Sequence, residues 1–268
     1  MKVALVQSTL VWGDVEKNLE HFDRELSRIE GCGVIVLPEM FTSGSRMVKV
    51  SKEVAEAEKC RVAAQYTAVR EKMTEWAVRQ GALVVGSTVY EEAGRYYNRL
   101  LAVSPDGGCQ CYDKRHCFRM GGENEHFTAG TRQLVFDYEG VRMAVFICYD
   151  LRFPVWCRNT ERYDLAVYVA NWPEARREVW KVLLRARAIE NQAFVVGVNC
   201  VGEDVNGICY AGDSLVADAR GNVVAKAQAF QEETLVVELD VAELHRFRDQ
   251  FDVLEDRDDF IINLNYKR

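Results

Sequence analysis

Apolar runs of strand length alternate with amphipathic stretches of helix length along most of this chain, and that alternation restricts the architectures open to it. Lys2–Ser8 reads as a strand. Asp14–Glu30 reads as a helix with Leu19, Phe22, Leu26 and Ile29 on one stripe, and it leads into the apolar run Val34–Leu37. This is a β-α-β opening. A second helical stretch, about Lys52–Gln80, feeds a strand at Ala82–Tyr90, which the turn-like Glu92-Ala-Gly-Arg95 joins to an antiparallel partner at Tyr96–Val103. The second half repeats the logic with the strand Val141–Cys148, a short helix near Pro154, the strand Leu165–Ala170, the helix Arg176–Gln192 and the strand Phe194–Asn199. Further strands are expected at Tyr210–Ala217, Asn222–Ala227 and Leu235–Asp240. Helices between apolar strands imply an α/β fold of mixed sheets covered by helices, with antiparallel additions late in the chain.

At 268 residues and 49% hydrophobic composition the chain can bury a large core. No Gly/Ser/Pro-rich linker interrupts it and only four prolines are present, so residues 1–268 read as a single domain. The net charge of −7 argues against a nucleic-acid partner, because phosphate contacts need clustered Lys and Arg. The start Met-Lys-Val-Ala-Leu-Val-Gln7 holds only a brief apolar stretch and no run reaches spanning length, so the expectation is a cytoplasmic protein with no membrane partner. Nine cysteines form an odd set in a chain large enough to need no disulfide staples, which points to reduced thiols. Cys109, Cys111, His116 and Cys117 lack the paired spacing of a structural zinc site, and no metal is expected.

Chemistry concentrates at strand ends. Val141-Arg-Met-Ala-Val-Phe-Ile-Cys148 delivers a cysteine to the start of a new element, beside unpaired backbone N–H groups that favour a thiolate and can hold an oxyanion. Two other apolar strands end in reactive residues, Val34-Ile-Val-Leu-Pro-Glu39 and Cys111-Tyr-Asp-Lys114. Strand ends along one sheet edge converge, so a carboxylate, an ammonium and a thiol are expected in one pocket. The segments Thr42–Met47, Arg119–Gly130 and Trp172–Arg177 are natural walls for it.

Leu37-Pro-Glu-Met-Phe41, Tyr112-Asp-Lys-Arg-His116 and Ile147-Cys-Tyr-Asp-Leu-Arg-Phe-Pro154 together resemble the nitrilase superfamily of carbon–nitrogen hydrolases over nearly the whole chain. Val6-Gln7, Asn171-Trp172-Pro173 and Arg185-Ala-Arg-Ala-Ile-Glu-Asn-Gln192 agree with it. Met40-Phe-Thr-Ser-Gly44 and Lys114-Arg-His-Cys-Phe-Arg-Met120 look most like the ω-amidase branch. The resemblance implies a four-layer α-β-β-α sandwich with two mixed β-sheets, a homodimer or higher homo-oligomer, and no cofactor. It also implies a catalytic triad of Glu39, Lys114 and Cys148 with a second glutamate between the lysine and the cysteine. Glu125 is the best match for that position, and Glu123 stands two residues away.

In these roles Glu39 is the general base, Cys148 the nucleophile that becomes a thioester, and Lys114 with the backbone N–H of Tyr149 the holder of the oxyanion. An ordinary thiol and an ordinary glutamate differ by roughly four pKa units, so moving the thiol proton to the carboxylate is uphill by about 5.7 kcal/mol, and the Lys114 charge is expected to lower the thiol side of that gap.

The implied substrate is a small ω-amide with a free carboxylate, of the α-ketoglutaramate type. Because the whole chain is acidic, a local cation must bind such an anion. Arg115, Arg119, Arg152, Arg176 and Arg177 are the candidates, with Phe41, Phe118 and Trp172 shaping the pocket. Alternatives within the family are a simple aliphatic amide, an N-carbamoyl compound or a nitrile. Outside it stand a Cys-His hydrolase using His116 or His126, and a binding protein without turnover. The apolar positions Val179, Val182, Leu183, Ala186 and Ile189 of the helix 176–192 suit either a subunit interface or core packing.

Overall fold

The computed structural model describes residues 1–44 and 51–264. In chain order its elements are β1 (Lys2–Gln7), α1 (Val15–Leu26), β2 (Val34–Val36), α2 (Lys52–Ala63), α3 (Tyr66–Gln80), β3 (Leu83–Glu92), β4 (Arg95–Val103), β5 (Cys109–Asp113) and the single turn α4 (Glu123–His126). Then come β6 (Val135–Tyr138), β7 (Val141–Ile147), β8 (Leu165–Ala170), α5 (Arg177–Asn191), β9 (Phe194–Asn199), β10 (Val201–Glu203), β11 (Cys209–Ala211), β12 (Leu215–Ala217), β13 (Val223–Lys226), β14 (Glu233–Glu238) and α6 (Val241–Gln250).

Two six-stranded mixed sheets form the body, in the orders β14-β1-β2-β3-β4-β5 and β13-β12-β9-β8-β7-β6. The period-2 alternation of strands shows how they stack. Val3 and Leu5 of β1, with Leu100 and Ala102 of β4, join the β7 and β8 side chains in the core between the sheets. Their neighbours Ala4, Val6, Leu101 and Val103 face the other way, into a second core with Phe22 and Leu26 of α1 and Val69, Met73 and Trp76 of α3. On the far side, Trp180, Leu184 and Ala188 of α5 cover the second sheet. Both faces of β2 and β8 are buried along their whole length, so these strands are apolar throughout. The fold is the four-layer α-β-β-α sandwich.

Local chemistry sets the joins. Asp14 caps α1 by accepting from the Lys17 N–H at 3.1 Å. Gly197 on β9 lies directly beneath α5, where an added Cβ would come within 2.4 Å of Leu184.

The structure departs from expectation in several places. The stretch 52–80 is two helices. The expected strand Tyr210–Ala217 splits into β11 and β12, because Gly212 and Asp213 both take positive φ (70° and 55°) and the chain turns there. Only glycine fits at 212, since a Cβ would sit 2.2 Å from Gln7 Oε1, the atom that accepts the Ser214 N–H. β6 and α6 are additional elements. Along α5 the fully buried positions are Trp180, Leu184, Arg187, Ala188 and Asn191, whereas Val182 and Ile189 are exposed.

Candidate active site

β2, β5, β7 and β8 all run toward one end of the sandwich, because β5 is antiparallel to β4, which is itself antiparallel to β3, the parallel neighbour of β2. Their C-terminal ends deliver the reactive side chains. Glu39 stands three residues past β2, Lys114 one residue past β5, Cys148 immediately after β7 and Asn171 immediately after β8. The convergence therefore joins the edges of two stacked sheets rather than one.

Glu39 is fixed by backbone pairing that outlasts β2: the Leu37 N–H donates to Val85 O at 2.8 Å, and the Phe41 N–H to Ser87 O at 3.1 Å. Its Oε1 accepts from Asn98 Nδ2 and from Lys114 Nζ, each at 2.8 Å. Its Oε2 accepts from the Asn171 N–H, also at 2.8 Å, so one carboxylate ties the two sheets together. Lys114 in turn donates to both Glu123 oxygens at 2.9 Å, and Glu123 Oε2 also accepts the Phe118 N–H. Lys114, Glu39 and Glu123 are all buried.

Cys148 takes φ = 45°, a left-handed conformation that costs a non-glycine residue energy. It opens the short 3₁₀ turn Cys148–Arg152, with its sulfur 3.9 Å from Asn171 O. Asp150 holds the turn from within, accepting from the Ile147 N–H at 3.1 Å, the His116 N–H at 2.9 Å and the Tyr112 hydroxyl at 2.7 Å.

Burial is the largest single influence on Cys148, Lys114 and Glu123 alike. Burial, reinforced by the Glu39 charge, pushes the Cys148 thiol well above its ordinary pKa despite Lys114 nearby. These surroundings favour the thiol form, where the place of Cys148 at the start of a turn led to the expectation of a thiolate. Burial alone would lower the Lys114 pKa, but the Glu123 and Glu39 charges outweigh it and keep the ammonium. Glu123 is raised by burial and by Glu39, with Lys114 opposing.

A cavity of about 400 Å³ opens onto these groups, lined by Glu39, Lys114, Glu123, Cys148, Tyr149 and Asn171 at its floor. Phe118, Met120, Trp172, Ala175, Ile208 and Tyr210 supply apolar wall. Arg152 lies over the Trp172 ring at 5.1 Å and Arg176 over the Phe118 ring at 5.4 Å, and both line the cavity.

Several expected site residues lie elsewhere. Glu125 is exposed on α4, and Glu123 occupies the place beside Lys114. Two residues of helix turn them about 200° apart, so when Glu123 faces Lys114, Glu125 faces away. Phe41 is core, edge-on to Phe22 under β3, where Gly86 leaves room for it. Arg115 donates to Gly130 O and stacks on Trp156, Arg119 is exposed outside the cavity, and Arg177 pairs with buried Asp213 at 2.7 Å. His116 bonds Asp150 and stacks on Phe153, and neither it nor His126 lines the cavity. Of the wall Thr42–Met47, positions 45–47 lie outside the described residues. Asn98 Nδ2 and the Asn171 N–H hold the Glu39 carboxylate, and neither residue is among the nominated site residues. Asn98 carried one signal, a polar side chain on the inward parity of β4 shared with Leu100 and Ala102.

The Carbon-nitrogen hydrolase family model matches residues 2–249. The chain is 45% identical to the omega-amidase YafV of Yersinia enterocolitica, covering 98% of each chain. It is 33% identical to the 2-oxoglutaramate amidase of Bacillus subtilis, over 90% of this chain and 87% of that one. Among solved structures, a CN-hydrolase superfamily protein of Xanthomonas campestris superposes with a TM-score of 0.91 at 38% identity, covering 98% of this chain and 99% of the other.

Proposed function

This chain belongs to the carbon–nitrogen hydrolase family, and from that premise we propose that it cleaves the ω-amide of small dicarboxylic acid monoamides, of the α-ketoglutaramate class, to the acid and ammonia. The observation that carries this reading is one cavity lined both by Cys148, Glu39 and Lys114 and by two arginines whose guanidinium groups lie over aromatic rings. The relatives named for ω-amide hydrolysis agree with it.

In the proposed cycle the substrate carboxylate is met by Arg152 and Arg176 near the mouth, which sets the distal amide over Cys148. Because the resting sulfur is a thiol, its proton passes to Glu39 as the sulfur attacks the amide carbon. The tetrahedral oxyanion is held by the Lys114 ammonium and the Tyr149 N–H. Glu39 returns its proton to the leaving nitrogen, ammonia departs, and a thioester remains on Cys148. A water deprotonated by Glu39 then adds to the thioester carbon, and collapse releases the acid and the thiol. Glu123 takes no proton in this scheme. It keeps Lys114 charged and aimed.

Residues 1–268 act as one hydrolase domain in this reading, supported by a central core that draws on the strands of both sheets. The exposed Val182 and Ile189 on α5 support the homodimer that the family resemblance implies. Among the described residues no helix is long and apolar enough to cross a membrane.

The test compares kcat/KM across α-ketoglutaramate, α-ketosuccinamate, glutamine, simple amides, nitriles and carbamoyl acids, with product analysis and with Cys148→Ala as the blank. The ω-amides of the oxo-acids should lead and release only ammonia and acid. Carbon dioxide release, a lead for neutral amides, or turnover by Cys148→Ala would overturn the assignment.

A further inference from the structure

Two of the nine cysteines lie side by side, away from the cavity. Cys109 and Cys111 are two residues apart on β5, so they project from one face, opposite the face that carries Tyr112 into the core between the sheets. Their sulfurs are 3.8 Å apart. Among the described residues β5 is the edge strand of its sheet, with β4 as its one neighbour. Cys111 is exposed and Cys109 half-buried.

The surroundings divide the pair's chemistry. Arg99, across the ladder on β4, holds Asp113 bidentately at 2.7 and 2.8 Å on the same face as the two sulfurs. The hydrogen bond from Cys109 lowers Cys111 to about 6, with Arg99 and Tyr66 adding to it against the effect of burial, while Cys109 is raised. Of the two sulfurs, Cys111 is thus both the more exposed and the one whose thiolate form its surroundings favour. That is the arrangement of an attacking and a resolving cysteine.

We propose that Cys109 and Cys111 form a peroxide-reactive dithiol site, with Cys111 as the attacking sulfur and Cys109 as the resolving one. The Cys111 thiolate attacks one oxygen of a hydroperoxide and the O–O bond breaks, leaving Cys111 as a sulfenic acid and releasing the other oxygen as an alcohol or water. Cys109 then attacks the sulfenic sulfur, an S–S bond forms, and hydroxide leaves with the Cys109 proton as water. Two thiols and one hydroperoxide give one disulfide, one alcohol or water, and one water. Two residues of strand span about 6.6 Å, inside the roughly 4.4–6.8 Å that disulfides bridge. Closing the sulfurs therefore needs side-chain rotation and a small twist of an edge strand.

Trypsin releases Leu100–Lys114 as a peptide containing these two cysteines and no other. The full-length reduced protein is treated with hydrogen peroxide, blocked with iodoacetamide, digested and weighed. The expected peptide is lighter by two hydrogens and unalkylated, and dithiothreitol returns it to the doubly alkylated form. In Cys109→Ser the intermediate is caught as a dimedone adduct on Cys111, and in Cys111→Ser the Cys109 thiol remains alkylatable. A peptide that stays doubly alkylated at peroxide doses already modifying the exposed Cys60 overturns the proposal. So does a dimedone adduct on Cys111 that accumulates with Cys109 still in place.

Discussion

Lys114 Nζ lies 2.9 Å from both carboxylate oxygens of Glu123, a chelate that fixes an ammonium in a pocket too dry to keep one unpaired. Removing the charge while keeping the shape isolates its role. Glu123→Gln should lower kcat/KM by on the order of 10²-fold, in the range for a displaced oxyanion donor, while Glu125→Gln stays near wild type. Steady-state kinetics on the pair decides it, and equal effects would remove Glu123 from the site.

Arg152 and Arg176 both line the cavity, stacked on Trp172 and Phe118. A charge-assisted hydrogen bond is worth about 1.5–3 kcal/mol. Arg152→Gln and Arg176→Gln should therefore each raise KM for an acidic ω-amide by roughly 10- to 100-fold and leave a neutral amide nearly unaffected. Parallel losses on both substrates would mean that these arginines hold the pocket's shape and not the carboxylate.

The raised thiol of Cys148 has a signature in stability. A thiol whose folded pKa exceeds its unfolded value binds its proton more tightly in the folded state. That contribution is fully present below the unfolded pKa, about 8.5, and is lost as pH rises through the folded one. Wild type should thus lose up to about 1.4 kcal/mol per pH unit more than Cys148→Ser above that pH. Buried Tyr112, Tyr163 and Cys200 shift the same way in both proteins, so the informative quantity is the difference between two urea-denaturation series. Parallel curves would contradict the buried thiol.

The strands and the three reactive positions were legible because both depend on short-range pattern: an apolar run, then a chemically active side chain. What was illegible depends on the third dimension. Ala55, Lys59, Val62, Tyr66, Val69, Met73 and Trp76 keep an unbroken three-four spacing, so nothing in the pattern marks the break between α2 and α3. Glu123 and Glu125 flank Asn124 in a turn without periodicity, and only the path of α4 decides which one meets Lys114. Phe41 follows Glu39 by two residues, yet the positive φ of Met40 sends it into the helix-side core. Asn171 sat within a recognised motif, but its backbone N–H does the work seen here, and side-chain reasoning does not register it.

Asp150 is fully buried and joins the two halves of the site: its carboxylate accepts from Tyr112 on β5, from the His116 segment after Lys114, and from the Ile147 N–H just before Cys148. It touches no reacting atom, so it is a positioning residue. Asp150→Asn keeps the volume but replaces one acceptor oxygen by a donor facing donors, and each bond to the charged group was worth about 1.5–3 kcal/mol. The variant should lose about that much stability by urea denaturation. It should also lower kcat more than it raises KM, because the Cys148 turn and Lys114 shift relative to each other while Arg152, Arg176 and the apolar walls still receive substrate. Loss of stability with unchanged kcat in the folded fraction would reduce Asp150 to a structural residue.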